Sequence, residues 1–249
     1  MITYSDDNGY TWTSHKNITE AVSHPFQITN GYHYTFKEDW RWYAIGPGHA
    51  IQLQQPPYRG RLLFPCNHIE GDRSYDADYS HVFYSDDFGK TWCLGGCVNQ
   101  QRTNECMAVE LSNGDVMLNC RRIDGQTRYS AISHNGGTTW EHVGLDLPDP
   151  GCQGSILRFT LKDQTKLLFC NASDPTERKH LTVRMSNDDG KTWTVEKCIC
   201  EGFSAYSDMV IQENGSIGIL YEAENYLKIK YCHFDLAWLT DSTDYHLHN

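Results

Sequence analysis

Residues 186–193 read SNDDGKTW, and the same pattern recurs as SDDNGYTW at 5–12, SDDFGKTW at 85–92 and SHNGGTTW at 133–140. The shared form is Ser-x-(Asp/Asn)-x-Gly-x-Thr-Trp. Each position has a mechanical use. An Asp or Asn side chain accepts from backbone amides two residues on and closes a tight turn. Gly supplies the positive φ that such a turn needs. Thr suits the strand that follows, and Trp gives each copy a large apolar anchor. A carboxylate committed to its own turn cannot also serve a substrate, so the boxes read as structural.

Working outward, the boxes lie 80, 48 and 53 residues apart. Strand-like segments run into three of them: YSHVFYS, RYSAIS and HLTVRMS. Further upstream stand RGRLLFPC, NGDVMLNC and DQTKLLFC, and NGSIGILYE at 214–222 repeats that segment with no box after it. Each unit reads as strand, turn, strand, strand, box, strand. No long window carries helical periodicity. The pattern predicts an all-β fold, a β-propeller of four-stranded antiparallel blades with box turns, in one domain over 1–249. The first box has only four residues ahead of it, and the last unit has strands but no box. Two expectations follow from that mismatch. Either residues 1–14 complete the unit at 203–240, giving about four blades, or the chain is an N-terminally truncated piece of a larger propeller.

The bulk numbers bound the function. The chain has 249 residues, 39% apolar and 12% aromatic, which suffices for a substantial core. No apolar run approaches the ~18 residues of a membrane span, and no secretory signal is visible after Met1. A net charge of -11 argues against nucleic acid and anionic membranes as partners. An anionic small ligand would need a local positive pocket. The ten cysteines form no paired CxxC ladder, and many end strand-like runs, so they read as small buried hydrophobes. Three N-x-S/T triplets, at Asn17, Asn171 and Asn214, permit an extracytoplasmic life without showing it. P-loop, HExxH and GxSxG motifs are missing from the sequence, and no metal or cofactor is called for.

The non-box motifs carry a resemblance. GPGHAIQL, GRLLFPC, NECMAVELSNGDVMLNCR, DPGCQGSILRF, LTVRMSNDDGKTW and SAYSDMVIQENGSIGILYE follow one another over essentially the whole chain. In this order they resemble the sialidase (exo-α-neuraminidase) superfamily, most closely its bacterial and animal lysosomal branches. The resemblance implies a six-bladed propeller, here incomplete, and a sialylated glycan as partner. It implies hydrolysis of terminal sialic acid with retention, and a lysosomal or extracytoplasmic setting. The alternative is a propeller that binds sialoglycans or a protein and hydrolyses nothing. Oligomeric state is not set by the sequence.

Sialic acid bears a carboxylate on its anomeric carbon, which would repel a carboxylate nucleophile; a neutral phenol avoids this. By resemblance Tyr206, in SAYSD, is the nucleophile and Glu105, in NEC, its activating base. A free phenol titrates near ~10 and needs such a base. Glu110 lies an odd offset from Glu105 and is expected on the other strand face. Arg forks suit a carboxylate ligand. By resemblance the second and third arginines of the family's clamp fall on Arg121 and Arg184, with Arg122 the rival of Arg121. Gln153 is expected to face the ligand. Glu222 matches a position that braces the first arginine. That arginine and the acid/base aspartate belong to a segment upstream of the first box, which the sequence lacks. Asp39, Asp72, Asp76 and Asp78 are available carboxylates outside the expected context.

Overall fold

A computed structural model describes residues 1–24, 40–71, 77–144, 147–161 and 164–241. The fold is all-β. Its first sheet holds β1 (Trp40–Ile45), β2 (Ile51–Gln52), β3 (Leu62–Glu70), β4 (Asp78–Ser85) and β5 (Cys93–Cys97), ordered β1-β3-β4-β5 with β2 also on β3. The second holds β6 (Thr103–Glu110), β7 (Val116–Arg122), β9 (Tyr129–Ser133) and β10 (Glu141–Val143), in that spatial order. A small ribbon pairs β8 (Gln126–Thr127) with β11 (Pro148–Asp149). The third sheet runs β12 (Ser155–Leu161), β13 (Gln164–Ala172), β14 (Lys179–Ser186), β15 (Val195–Ile211). It continues without a break into β16 (Ile217–Ala223) and β17 (Lys228–Phe234). Every pairing is antiparallel between near neighbours in sequence, as short hairpins dictate.

β15 is shared. Its first half pairs with β14, from Met185↔Val195 to Lys179↔Phe203. Its second half pairs with β16, from Ser204↔Ala223 to Ile211↔Ile217. One strand thus ends one sheet and opens the next.

The boxes do what their residues suggest, with a longer reach than two residues. In the second box Asp87 accepts from the Thr91 N–H at 2.8 Å and the Thr91 hydroxyl at 2.6 Å, and Gly89 N–H donates to Ser85 Oγ at 2.8 Å. Asp7, Asn135 and Asp188 make the same bond to the Thr N–H four residues on. The Thr91 bonds hold the half-buried Asp87 carboxyl down at about 2. Gly89 has φ 84° and Phe88 before it φ 57°, so the turn needs the left-handed region twice. Trp92 is buried against Phe64 and Phe83, whereas Trp12 is exposed.

Apolar seams glue the sheets in succession. Leu63 and Val82 of the first pack on Cys106, Leu118 and Cys120 of the second. Met107, Val109 and Met117 of the second pack on Ile156, Leu167 and Phe169 of the third. Leu168, Cys170 and Val183 pack on Ile217, Ile219 and Tyr221. Val210, Leu220, Ile229 and Tyr231, on the far face of this last sheet, are exposed. Residues 1–24 do not complete it. Ile2, Ile18 and Val22, the last on α1 (Thr19–Val22), pack with Cys66, Phe83 and Trp92 of the first sheet. Tyr4 Oη donates to Gly89 O at 2.6 Å. The expectation that residues 1–14 close onto 203–240 is corrected: the apolar partners of that hairpin lie at the other end of the row.

Candidate active site

Two strands bulge where the expected residues stand. In the β6–β7 ladder Thr103 faces Arg122 and Cys106 faces Cys120, so Asn104 and Glu105 together oppose Arg121. In the β15–β16 ladder Ser204 faces Ala223 and Ser207 faces Tyr221, so Ala205 and Tyr206 oppose Glu222. A bulge bends the strand and re-aims a side chain. Here two bulges turn residues from different sheets toward one point.

Tyr206 Oη donates to Glu105 Oε1 at 2.5 Å. Arg121 Nη1 donates to Glu105 Oε2 at 2.7 Å and to Tyr206 Oη at 3.0 Å. Glu105 and Arg121 are mostly buried, with side-chain exposures of 16% and 20%. Arg178, just before β14, lies with Cζ 5.6 Å from the Tyr206 ring centroid. Burial raises the Tyr206 pKa, and the Glu105 bond and charge raise it further, so the resting phenol is protonated. Burial pulls Arg121 down, but the bond and charge of Glu105 leave it above its ordinary value. Its Nε–H is buried with no partner among the described residues. A guanidinium serving structure alone tends to be fully satisfied.

The backbone that carries Tyr206 is pinned from both sides. Its N–H donates to Glu222 Oε2 at 3.2 Å. Gln153 lies in the adjoining loop, 2% exposed, and treats Ser207 as a strand partner: Nε2 donates to Ser207 O at 3.0 Å, and Oε1 accepts from Ser207 N–H at 2.9 Å. Gln153, expected to face a ligand, lines the cavity beside Tyr206 while both ends of its amide bond the Ser207 backbone. Glu222, expected to brace an arginine, accepts the N–H of Tyr206 and so holds the strand that carries it. A cavity of about 180 Å³ opens beside Tyr206, lined by Pro47, Gly48, Asp208 and Glu222.

Arg184 is not at this point. It is 5% exposed on β14 and donates to Glu196 Oε2 at 3.2 Å, Asn171 Oδ1 at 3.1 Å and Ser173 Oγ. Its fork is filled by protein, which corrects the expectation of a carboxylate clamp there. Arg178 stands by Tyr206 in its place. Arg122 forks onto Asp124 at 3.0 and 2.6 Å. Glu110, at the other end of β6, accepts from the N–H groups of Gln54 and Gln55 and pairs with Arg158 at 2.9 Å. A larger hollow of about 520 Å³ lies at that end and holds none of the Tyr206 cluster. Asp78 is fully buried on β4; Asn67 and Asn104 donate to it, and burial pushes its carboxyl up to about 6. Asp39, Asp72 and Asp76 lie outside the described residues.

With this geometry in place, comparison with known proteins is specific. Residues 1–219 match the family model described as BNR repeat-like domain. The sialidase of Micromonospora viridifaciens is 36% identical over 245 residues, covering 94% of this chain and 35% of that protein.

The chain belongs to the sialidase superfamily.

Sialidase-2 of Cricetulus griseus is 31% identical over 254 residues, covering 93% of this chain and 63% of its own. Among solved structures, the Hadza microbial sialidase Hz136 superposes with a TM-score of 0.80 at 27% identity, covering 95% of this chain and 44% of that one. The chain thus spans between about a third and two thirds of these sialidases. Sequence reasoning missed Arg178 in this sialidase-family chain because DPTERK looks like a solvated polar turn. The available signal was local: Asp174 accepts from the N–H groups of Thr176 and Glu177, both at 2.9 Å, an Asx-type turn that fixes the backbone just ahead of Arg178.

Proposed function

We propose that this chain carries the nucleophile side of a retaining exo-sialidase site acting on terminal α-linked sialic acid. The observation that carries the reading is the contact of Tyr206 Oη with Glu105 at 2.5 Å, with Arg121 at 3.0 Å from the same oxygen. A phenol whose pKa is raised cannot wait as phenolate. It must lose its proton to Glu105 as it attacks, which is general-base catalysis. Tyr206 Oη bonds to the anomeric carbon, the glycosidic C–O bond breaks with its electron pair leaving on the aglycone oxygen, which draws a proton from solvent, and Glu105 takes the phenolic proton. Arg121 stabilises charge on the phenolic oxygen along the way. In the second step water displaces the tyrosyl oxygen at the same carbon and gives its spare proton to solvent, while the phenol recovers its own proton from Glu105. Two inversions at one carbon give retention.

Arg121 and Arg178 supply the local positive field that a sialic acid carboxylate needs in a chain of net charge -11. The nearby Cys152 thiol, pushed up to about 11 by burial, is neutral and leaves that field intact. The sheets built on β1–β5, on β6, β7, β9 and β10, on β12–β15 and on β15–β17 support a count of four consecutive propeller blades. The test is turnover of a fluorogenic aryl sialoside by the chain and by Tyr206→Phe. The reading expects turnover that the variant abolishes. Sialoglycan binding by both proteins with no turnover by either would overturn it in favour of a binding module.

A further inference from the structure

The β16–β17 turn is unusual. Glu224, Asn225 and Tyr226 have φ of 52°, 53° and 67°, and none is glycine. Successive left-handed residues bring each Cβ against a carbonyl and are avoided where any other turn will serve. The turn is held by Glu224, which pairs with Lys228 at 2.9 Å and Lys230 at 2.8 Å, and by Leu227 N–H donating to Glu224 O at 3.2 Å. Its effect is to carry the Tyr226 side chain across to the start of β14 and the middle of β15. There its ring meets Phe203 edge-on, with centroids 4.8 Å apart and planes at 74°. Its Oη accepts from Arg178 Nη1 at 2.7 Å. Among the described residues Tyr226 is the one hydrogen-bond partner of the Arg178 side chain.

Arg178 is a long side chain on a surface turn, and holding it in one rotamer costs conformational freedom. A ligand carboxylate meeting a loose guanidinium bears that ordering cost itself; one meeting a fixed guanidinium does not. The Arg fork has five N–H donors, so the bond to Tyr226 leaves enough for a bidentate carboxylate. We propose that Tyr226 is a positioning residue: its hydroxyl fixes Arg178 beside the Tyr206 ring and so presets the recognition of the substrate carboxylate. This rests on the reading of the Tyr206 cluster as a sialic acid site. Phe203, by packing on the Tyr226 ring, sets the height of that hydroxyl.

The test is calorimetric titration of the full chain with 2-deoxy-2,3-didehydro-N-acetylneuraminic acid, a stable carboxylate analogue. Four proteins are compared: wild type, Tyr226→Phe, Arg178→Ala and the double variant. Tyr226→Phe keeps the ring on Phe203 and removes only the hydroxyl, so Tm is expected to stay put. Its Kd is expected to rise roughly threefold to tenfold, the range for one partly exposed hydrogen bond. In turnover the rise appears in KM, with kcat falling less. In the Arg178→Ala background the second substitution is expected to do nothing more. Wild-type binding that Tyr226→Phe leaves unchanged overturns the proposal and spares the site. A loss that persists in the Arg178→Ala background also overturns it, because Tyr226 then acts by another route. Failure of the wild type to bind the analogue overturns the reading of the site itself, and the positioning role with it.

Discussion

Tyr206 and Glu105 are 101 residues apart in the chain, yet the phenol of one donates to the carboxylate of the other at 2.5 Å. Each sits in a β-bulge, and each bulge is opposed by a charged residue, Glu222 for the tyrosine and Arg121 for the glutamate. The bulges do together what neither strand does alone, since regular alternation would not set both side chains at one point.

Glu105→Gln keeps the shape and removes the carboxylate proposed as the base. Its kcat on an aryl sialoside is expected to fall by a factor on the order of 10² to 10⁴, the usual range for general-base loss. Affinity for the didehydro analogue is expected to hold within a few-fold. Steady-state kinetics beside calorimetry checks both.

Gln153→Leu strips the Ser207 N–H and C=O of their partners inside the protein. Two buried backbone groups left unsatisfied predict a loss of about 2–4 kcal/mol in urea unfolding. A fall in kcat should accompany it, because Ser207 is the residue next to Tyr206. Gln153→Glu, which still accepts the N–H, is expected to lose less stability.

Arg184 and Arg178 should separate cleanly. Arg184→Met empties a buried fork that serves Glu196, Asn171 and Ser173. It is expected to cost about 2–4 kcal/mol of stability and to leave analogue affinity nearly unchanged. Arg178→Met is expected to weaken analogue binding about tenfold to a hundredfold, with stability within about 1 kcal/mol. Denaturation and titration of both variants test the pair.

Asp78 gives a pH signature. Burial lifts its carboxyl from the usual 3.8 to about 6. Between those values the folded chain binds the proton more tightly than the unfolded chain does. Its contribution is therefore fully present below about 4, is lost as pH rises toward about 6, and is flat above. The loss amounts to about 2–3 kcal/mol. Asp78→Asn is expected to flatten that slope, read as the urea midpoint between about pH 4 and about pH 7.

What the sequence made legible was what it decides locally. A box holds its own Ser, Asp, Gly and Thr within eight residues, and their bonds close inside that span, so turn and flanking strands could be read directly. Tyr206, Glu105 and Arg121 were reached through ordered motifs, and the contacts among them depend on long-range pairing. Arg184 was placed in the clamp by resemblance. Its three side-chain partners sit 11 to 13 residues away along the chain, which no spacing rule reveals. Arg178 was hidden for the opposite reason, because charge in a polar turn needs no explanation. The two bulges were invisible, since one extra residue in a ladder leaves no mark on composition.

The central claim is that Tyr206 is the nucleophile, and covalent capture tests it most directly. A 3-fluorosialosyl fluoride loses fluoride without help from a protonating acid, and its ring fluorine slows the second step. The labelled chain is then digested and mapped by mass spectrometry. The account predicts one adduct, on the peptide that contains Tyr206, and none on Tyr206→Phe. An adduct on Glu105 or elsewhere, or no adduct at all, would contradict it.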